Sequence, residues 1–428
     1  MKSILVVAFV ALTLAARAAD SAPLRFAFGS APAAGFTAVA PDMNYNKERG
    51  FGFEPDAAVV ANPHGISSDQ PFYFSARVPA EGNYRVTVTV GDPQSESTTT
   101  IKAELRRLMV EKIHTGAGKF ATVSFIVNTR TPHIAATGDI KAGEVRLKSP
   151  RESTMEAWAW DDALTLEFNN SHPAVSTIEI ARVDVPTVFL IGDSTVCDQP
   201  REPYSSWGQS LTRFFKPDIA IANHGESGET YRVSIGRRRL DKMLSVMKPG
   251  DYMVMQFGHN DQKERGPGMG PFLNYKAEIK VHVDAVRAHG GTPVIVSPME
   301  RRNYNPDGTF RPTLADYAEA ARQAAQELGV AFIDLNAMSM RFYGALGKDQ
   351  AYLAFAGTGL QRDATHHDNY GSYELAKCIA EGIRDNHLPL ARHLVDDFTG
   401  FDPAHPDDVD TFALPPSPQF TNQRPLGD

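Results

Sequence analysis

Residues 188–197 read VFLIGDSTVC. Four apolar residues, two of them β-branched, stop at Gly192-Asp193-Ser194. An unbroken apolar run of this kind reads as a strand covered on both faces. The Gly-Asp-Ser at its end is either an ordinary strand-to-helix turn or a hydroxyl held at the edge of a sheet. The downstream sequence bears on the choice. Short apolar runs recur at 187–192, 218–223, 251–258, 292–298 and 330–335. Helix-period stretches stand near 205–215, 236–247, 273–289, 313–328 and 371–385, and Pro249-Gly250 and Gly290-Gly291 end two of them. Buried strands alternating with helices predict a parallel sheet with helices on both faces, a three-layer α/β/α arrangement. Sites in such sheets lie beyond the carboxyl ends of the strands.

The chain upstream has another texture. The stretches 83–91, 119–129, 143–149, 163–169 and 176–185 alternate apolar and polar residues and are rich in Val, Thr and Ile. Turn sequences such as EGN and GDPQ separate them. This predicts an antiparallel β-sandwich. Trp158 and Trp160, two apart, are expected on one face of a strand, where they serve either the core or a sugar-stacking platform. The expected organisation is a signal peptide at 1–18, a carbohydrate-binding-like sandwich at 23–185, a catalytic α/β domain at 186–392 and a C-terminal extension at 393–428. The extension, rich in Pro, Asp and Phe, is expected to wrap the surface or stay flexible.

The 428 residues suffice for two or three domains, and 42% hydrophobic content supports a large core. A net charge of −8 argues against a general nucleic-acid binder. Lys2, the apolar stretch from Ile4 and the ARA at 16–18 form an export signal, so the protein is expected to be secreted or periplasmic. The apolar stretch is too short to span a bilayer, so no stable membrane insertion is expected. The two cysteines, Cys197 and Cys378, are too few for a disulfide framework and are expected as buried thiols.

Four strand-end or loop segments carry chemistry: Gly192-Asp193-Ser194-Thr195, Asn223 through Thr230, Gly258-His259-Asn260-Asp261, and Asp363 through Asp368 in a loop before the last helix. Together they hold a hydroxyl, amide donors for an oxyanion, and a histidine beside a carboxylate, which acyl transfer requires. Each alone is a common turn sequence. Their joint occurrence at one sheet edge is specific. A metal held by the His and Asp residues of 363–368 would leave the other three segments without a role, so neither metal nor cofactor is expected.

In these segments the chain resembles the SGNH (GDSL-type) hydrolases over about 186–390. The phrases GDSTV and GDYMVMQFGHND (250–261) are similar to one branch of that family, the rhamnogalacturonan acetylesterases of carbohydrate esterase family 12. Where that branch often has Arg-Ser after the second-block glycine, this chain has Glu229-Thr230. The resemblance implies a flavodoxin-like parallel sheet and a secreted esterase that removes acetyl groups from acetylated pectic polysaccharide. It implies Ser194 as nucleophile, His366 as its base in preference to His367, and Asp363 as the partner of that histidine. The Ser194 and Gly228 backbone N–H groups and the Asn260 amide would form the oxyanion hole. Asp193 is expected to stabilise its turn. Substrate contacts are sought in His259, Trp207, Arg237 and Arg301. The arginines of GRRRL (236–240) form either a solvated face or a uronate-binding group. Rival readings are another SGNH esterase (acetylxylan esterase, lipase or thioesterase) and a sugar-binding protein with a vestigial esterase domain.

Overall fold

A strand that buries every second residue needs a partner sheet to cover that face. Gly82–Val90 does this with Tyr84, Val86, Val88 and Val90. A computed structural model describes residues 22–29 and 34–418, and the expected signal peptide lies outside them. In it Gly82–Val90 lies between Ala121–Thr129 and Ala174–Arg182, antiparallel to both. The sheet continues through Leu24–Phe28 to Thr37–Val39. A second sheet runs in the order Phe51–Phe53, Phe72–Arg77, Ala163–Asn169, Ser97–Ala103, Arg107–Thr115. Phe26, Phe53, Phe74, Val86, Val88, Leu164 and Phe168 fill the space between the two. The result is a β-sandwich.

Two expectations for this half are corrected. Of the predicted strand 143–149, only Gly143–Glu144 pairs, with His133–Ile134. The segment then turns onto the other half of the molecule, where Arg146 N–H donates to Arg237 O. Trp158 and Trp160 are not on a strand. They lie in and beside the 3₁₀ turn Ala157–Ala159, are 3% and 7% exposed, and join the core under the parallel sheet. The Trp160 indole donates to Glu152, and the Arg130 guanidinium covers its ring at 4.4 Å. Neither indole presents a face on which a sugar could stack.

The parallel sheet runs Ala220–Asn223, Thr187–Gly192, Tyr252–Gln256, Thr292–Val296, Ala331–Ile333. This is the 2-1-3-4-5 order of flavodoxin-like folds, in which the chain leaves the first strand to both sides and opens a crevice at its carboxyl end. Alternate residues of one strand feed two cores. Val188, Leu190 and Val254 face the layer of Trp207–Leu211, Leu335–Leu346 and Asn369–Asp385. Phe189, Ile191, Met253 and Met255 face the layer of Lys276–Ala288 and Ala315–Leu328. The chain thus has an α/β/α three-layer unit preceded by an all-β sandwich.

Residues 394–418 follow the surface. Phe398, Phe401, Phe412 and Leu414 pack on the hydrophobic core of the parallel sheet. Ser417 then reaches the sandwich: its hydroxyl donates to Glu167 and accepts from Lys102, while its N–H donates to Glu202. Cys197 and Cys378 are buried and free. No helix among the described residues is long and apolar enough to cross a membrane.

Candidate active site

Gly192 ends the first parallel strand because nothing larger fits. A Cβ there would lie 2.4 Å from Val196 Cγ2 and 2.5 Å from Gln256 O. The chain then turns, and Asp193 holds the turn. Its Oδ1 accepts from the Thr195 N–H at 2.9 Å and the Thr195 hydroxyl at 2.7 Å. Its Oδ2 faces His259 Nδ1 at 3.3 Å. Burial opposes ionisation of Asp193, but the His259 contact and the Thr195 donors outweigh it and hold the carboxyl below its ordinary range. Gln256 donates to Thr195 Oγ1 and accepts from the Trp207 indole. The nucleophile loop thus rests on a buried chain of polar contacts running from Trp207 to His259.

Ser194, 8% exposed, projects from this support. Its Oγ lies 2.8 Å from His366 Nε2, and His366 Nδ1 lies 2.9 Å from Asp363 Oδ2. Asp363 and His366, expected in a loop, stand in a bulge of the strand Gln361–His367. Phe355 pairs with His367 and Gly357 with Arg362, which forces the four residues between to arch out. The arch is pinned inside by Asp363 Oδ1, which accepts from the Thr365 and His366 N–H groups. It is pinned outside by Arg302, which donates to Ala364 O, Arg362 O and Asp363 O. Burial again opposes ionisation of Asp363, but the His366 bond and the two backbone donors hold its carboxyl well below the usual range. It stays an anion and an acceptor for the ring N–H.

The neighbouring His367 and Asp368 turn elsewhere. His367 is buried against Phe355 with its Nε2 2.7 Å from the Tyr343 hydroxyl, and burial pushes its pKa down to about 3. Asp368 caps the last helix through Gly371 N–H and pairs with Arg362 at 2.8 Å. The structure therefore brings His366, and not His367, to Ser194.

Gly228 has φ +76, a left-handed backbone that a side chain would strain. Asn260 donates one amide hydrogen to Glu229 O at 3.0 Å and accepts from Lys263. Its loop is set by Asp261, whose carboxylate accepts from the Gly258 and Tyr231 N–H groups. Among the described residues, neither the Ser194 N–H nor the Gly228 N–H donates to a protein acceptor.

The four candidate substrate contacts fare differently. Trp207 is fully buried and committed to Gln256, so it offers no face to a sugar. His259 is 2% exposed and lies beneath the nucleophile loop against Asp193. Arg301 spends its guanidinium on Thr365, Thr313 and His259 O, joining three loops of the site. Arg237 lies behind the Gly228 loop, 3.3 Å from Glu229 and bonded to Arg146 O. Nor is GRRRL a solvated face: Arg239 is 1% exposed and paired with Glu152 at 2.6 Å.

Several residues at the site carry no local sequence signal. Gln199 donates to the carbonyl of Ser194 at 2.6 Å. Tyr204, 40% exposed, meets the His366 ring edge-on at 5.9 Å. Arg106, from the sandwich, donates to Gln199 O and Tyr204 O and pairs with Glu202 at 2.5 Å. Lys148, from the segment between the sandwich strands Ala121–Thr129 and Ala163–Asn169, binds Ser227 O on the Gly228 loop. Gln199 lies five residues from its partner Ser194 but in no recognised motif, and the other partners are distant in sequence.

A serine, histidine and aspartate joined in this order, beside spare amide donors, form the constellation of serine-dependent acyl transfer. Comparison with known proteins agrees. Residues 190–367 match the GDSL-like lipase/acylhydrolase family. A rhamnogalacturonan acetylesterase of Bacillus subtilis, RhgT, is 35% identical over 220 residues, covering 49% of this chain and 94% of the relative. A probable rhamnogalacturonan acetylesterase of the same organism, YesY, is 31% identical over 213 residues, covering 49% and 97%. An uncharacterized esterase, YxiM, also of B. subtilis, is 22% identical over 387 residues, covering 86% and 92%. At that level of identity, across nearly the whole of RhgT, the chain belongs to the SGNH (GDSL-type) hydrolases, in their rhamnogalacturonan acetylesterase-like branch, and is a carboxylic ester hydrolase.

Proposed function

We propose that the protein is an exported serine esterase that removes acetyl groups from acetylated rhamnogalacturonan through an acyl-Ser194 intermediate. The observation that carries the mechanism is the hydrogen-bonded line from Ser194 Oγ through His366 to Asp363, at 2.8 and 2.9 Å. The names of the two relatives above 30% identity support the substrate.

In this reading His366 takes the Ser194 proton as Oγ attacks the acetyl carbonyl. Asp363, an anion at the other ring nitrogen, favours the imidazolium that results. The Ser194 and Gly228 N–H groups and the free amide hydrogen of Asn260 receive the oxyanion, each donor contributing about 3–4 kcal/mol to the transition state. His366 then gives the proton to the sugar's ester oxygen, which leaves as a hydroxyl as its bond to the acyl carbon breaks. A water, deprotonated by the same ring, attacks the acyl carbon, and the proton passes to Ser194 Oγ as acetate leaves. Tyr204, exposed beside His366, is placed to meet the sugar. The sandwich lies outside these steps and acts by holding the loops that perform them.

The test is acetate release from acetylated rhamnogalacturonan, acetylated xylan and p-nitrophenyl acetate, with Ser194→Ala as control. The reading expects release from the pectic substrate and loss of at least about 10³-fold in the variant. Undiminished release by Ser194→Ala would sink the mechanism. Release from xylan alone would sink the pectic assignment.

A further inference from the structure

The Gly228 loop is held by a cation from outside the α/β unit. Lys148 lies in the long connection between the sandwich strands Ala121–Thr129 and Ala163–Asn169, before the 3₁₀ turn at 157–159. Its ammonium donates to Ser227 O, lies 2.8 Å from Glu229 Oε1 and 3.8 Å from Glu226 Oε1. These three residues flank Gly228 on both sides. A Cβ built on Gly228 would have Lys148 Nζ as its nearest neighbour, at 3.8 Å. The side chain is 20% exposed and Glu229 is fully buried, so this is a largely desolvated contact. Glu229 is also the junction to the side-chain donor, since its backbone carbonyl accepts the Asn260 amide at 3.0 Å. Arg237 and Arg239 face the same carboxylate at 3.3 and 3.9 Å. A single buried carboxylate therefore gathers three cations behind the loop, and Lys148 alone among them also bonds the loop's backbone.

We infer that Lys148 is a positioning residue for ester hydrolysis. By tying Ser227 and Glu229 it fixes the peptide of Gly228 and, through Glu229 O, the Asn260 amide in the arrangement that receives the oxyanion. It does not touch the reacting atoms. The site is then completed by the N-terminal part of the chain: Arg106 clamps the nucleophile side and Lys148 the oxyanion side. The inference rests on the esterase mechanism proposed above for its kinetic consequence, and on geometry alone for the tether.

The experiment uses the full chain with Lys148→Met, Lys148→Arg, Glu229→Gln and the double variant Lys148→Met/Glu229→Gln. Two quantities are read: kcat and KM on p-nitrophenyl acetate, and hydrogen exchange across residues 225–230 by mass spectrometry. The expectation for Lys148→Met is a kcat lower by about 10- to 100-fold, the scale of a misplaced catalytic group. KM should stay within about twofold, exchange at 225–230 should quicken, and Lys148→Arg should recover part of kcat. The double variant should lose less than the product of the two single losses. Unchanged kcat with unchanged exchange would overturn the inference, as would strictly multiplicative losses. Should the wild-type protein hydrolyse no acetate ester, the proposed activity falls while the exchange comparison still decides the tether.

Discussion

At the scale of single residues, two substitutions separate folding from chemistry. Gly228→Ala places a methyl in ordinary contact with Lys148 Nζ, at 3.8 Å, but in a left-handed backbone. Denaturant titration should show a stability loss of about 1–2 kcal/mol, while the acetate-release rate should fall much further if the N–H that moves is the proposed oxyanion donor. A rate that tracks only the stability loss would remove Gly228 from that role. Asp363→Asn keeps size and the acceptor for the two backbone N–H groups, but it removes the charge facing His366. A kcat loss of roughly 10²–10⁴-fold with a melting temperature near wild type is expected. Ser194, Gly228, Asn260, Asp363 and His366 were singled out in the sequence because four segments together resemble one family, and the structure joins Ser194, His366 and Asp363 by hydrogen bonds. The roles sought for Trp207 and Arg239 were not. An indole or guanidinium has the same letter whether it faces a sugar or a buried partner, and only packing tells which.

At the scale of elements, the bulged hairpin and the buried acidic group behind the Gly228 loop behave differently with pH. Glu226 is pushed up to about 9 by burial and by the charges of Glu156 and Glu152. Arg151 lies 2.5 Å from Glu156 and 3.2 Å from Glu226 and offsets part of this charge. The folded protein therefore keeps a proton that the unfolded chain gives up near its ordinary value of 4.5. Stability from this group is present below that value and is lost as pH rises toward 9. The slope for one proton is about 1.4 kcal/mol per pH unit. Melting temperatures measured from pH 6 to 9 should decline in the wild type and decline less in Glu226→Gln, and equal slopes would refute this account. Asp363 works in the opposite sense, since its depressed carboxyl contributes stability above its unfolded range that is lost on acidification. The hairpin itself escaped the sequence reading because Phe355–Thr358 has only four residues, Gln361–His367 is polar, and the register is broken between Arg362 and His367.

At the scale of the whole molecule, the sandwich and the α/β unit share buried charge. Arg107 pairs with Asp198 at 2.8 Å, both almost fully buried, and Asp198 in turn accepts from Asn223 at the end of a parallel strand. Arg106 and Glu202 form a second such pair, and Ser417 joins Glu202 to Lys102 and Glu167. Removing one partner of a buried pair leaves the other charged and unsolvated, at a cost of about 3–5 kcal/mol. Residues 186–428 produced alone would expose Asp198, Glu202 and the apolar face under Trp158 and Trp160. That fragment should lack a cooperative melting transition and activity. A fragment that folds and hydrolyses acetate esters at the wild-type rate would show that the sandwich is dispensable.

By itself the sequence determined the two architectures and the family. Strand and helix periods follow from local backbone geometry, and the four segments are specific only because they occur together in one chain. Only the tertiary structure decided what aims the groups they carry. Lys148 meets Ser227 across 79 residues, and Gln209 meets Leu105 across 104. Such contacts depend on how two separately patterned units dock, and docking is set by the shape and buried charge of whole surfaces, which no local spacing encodes.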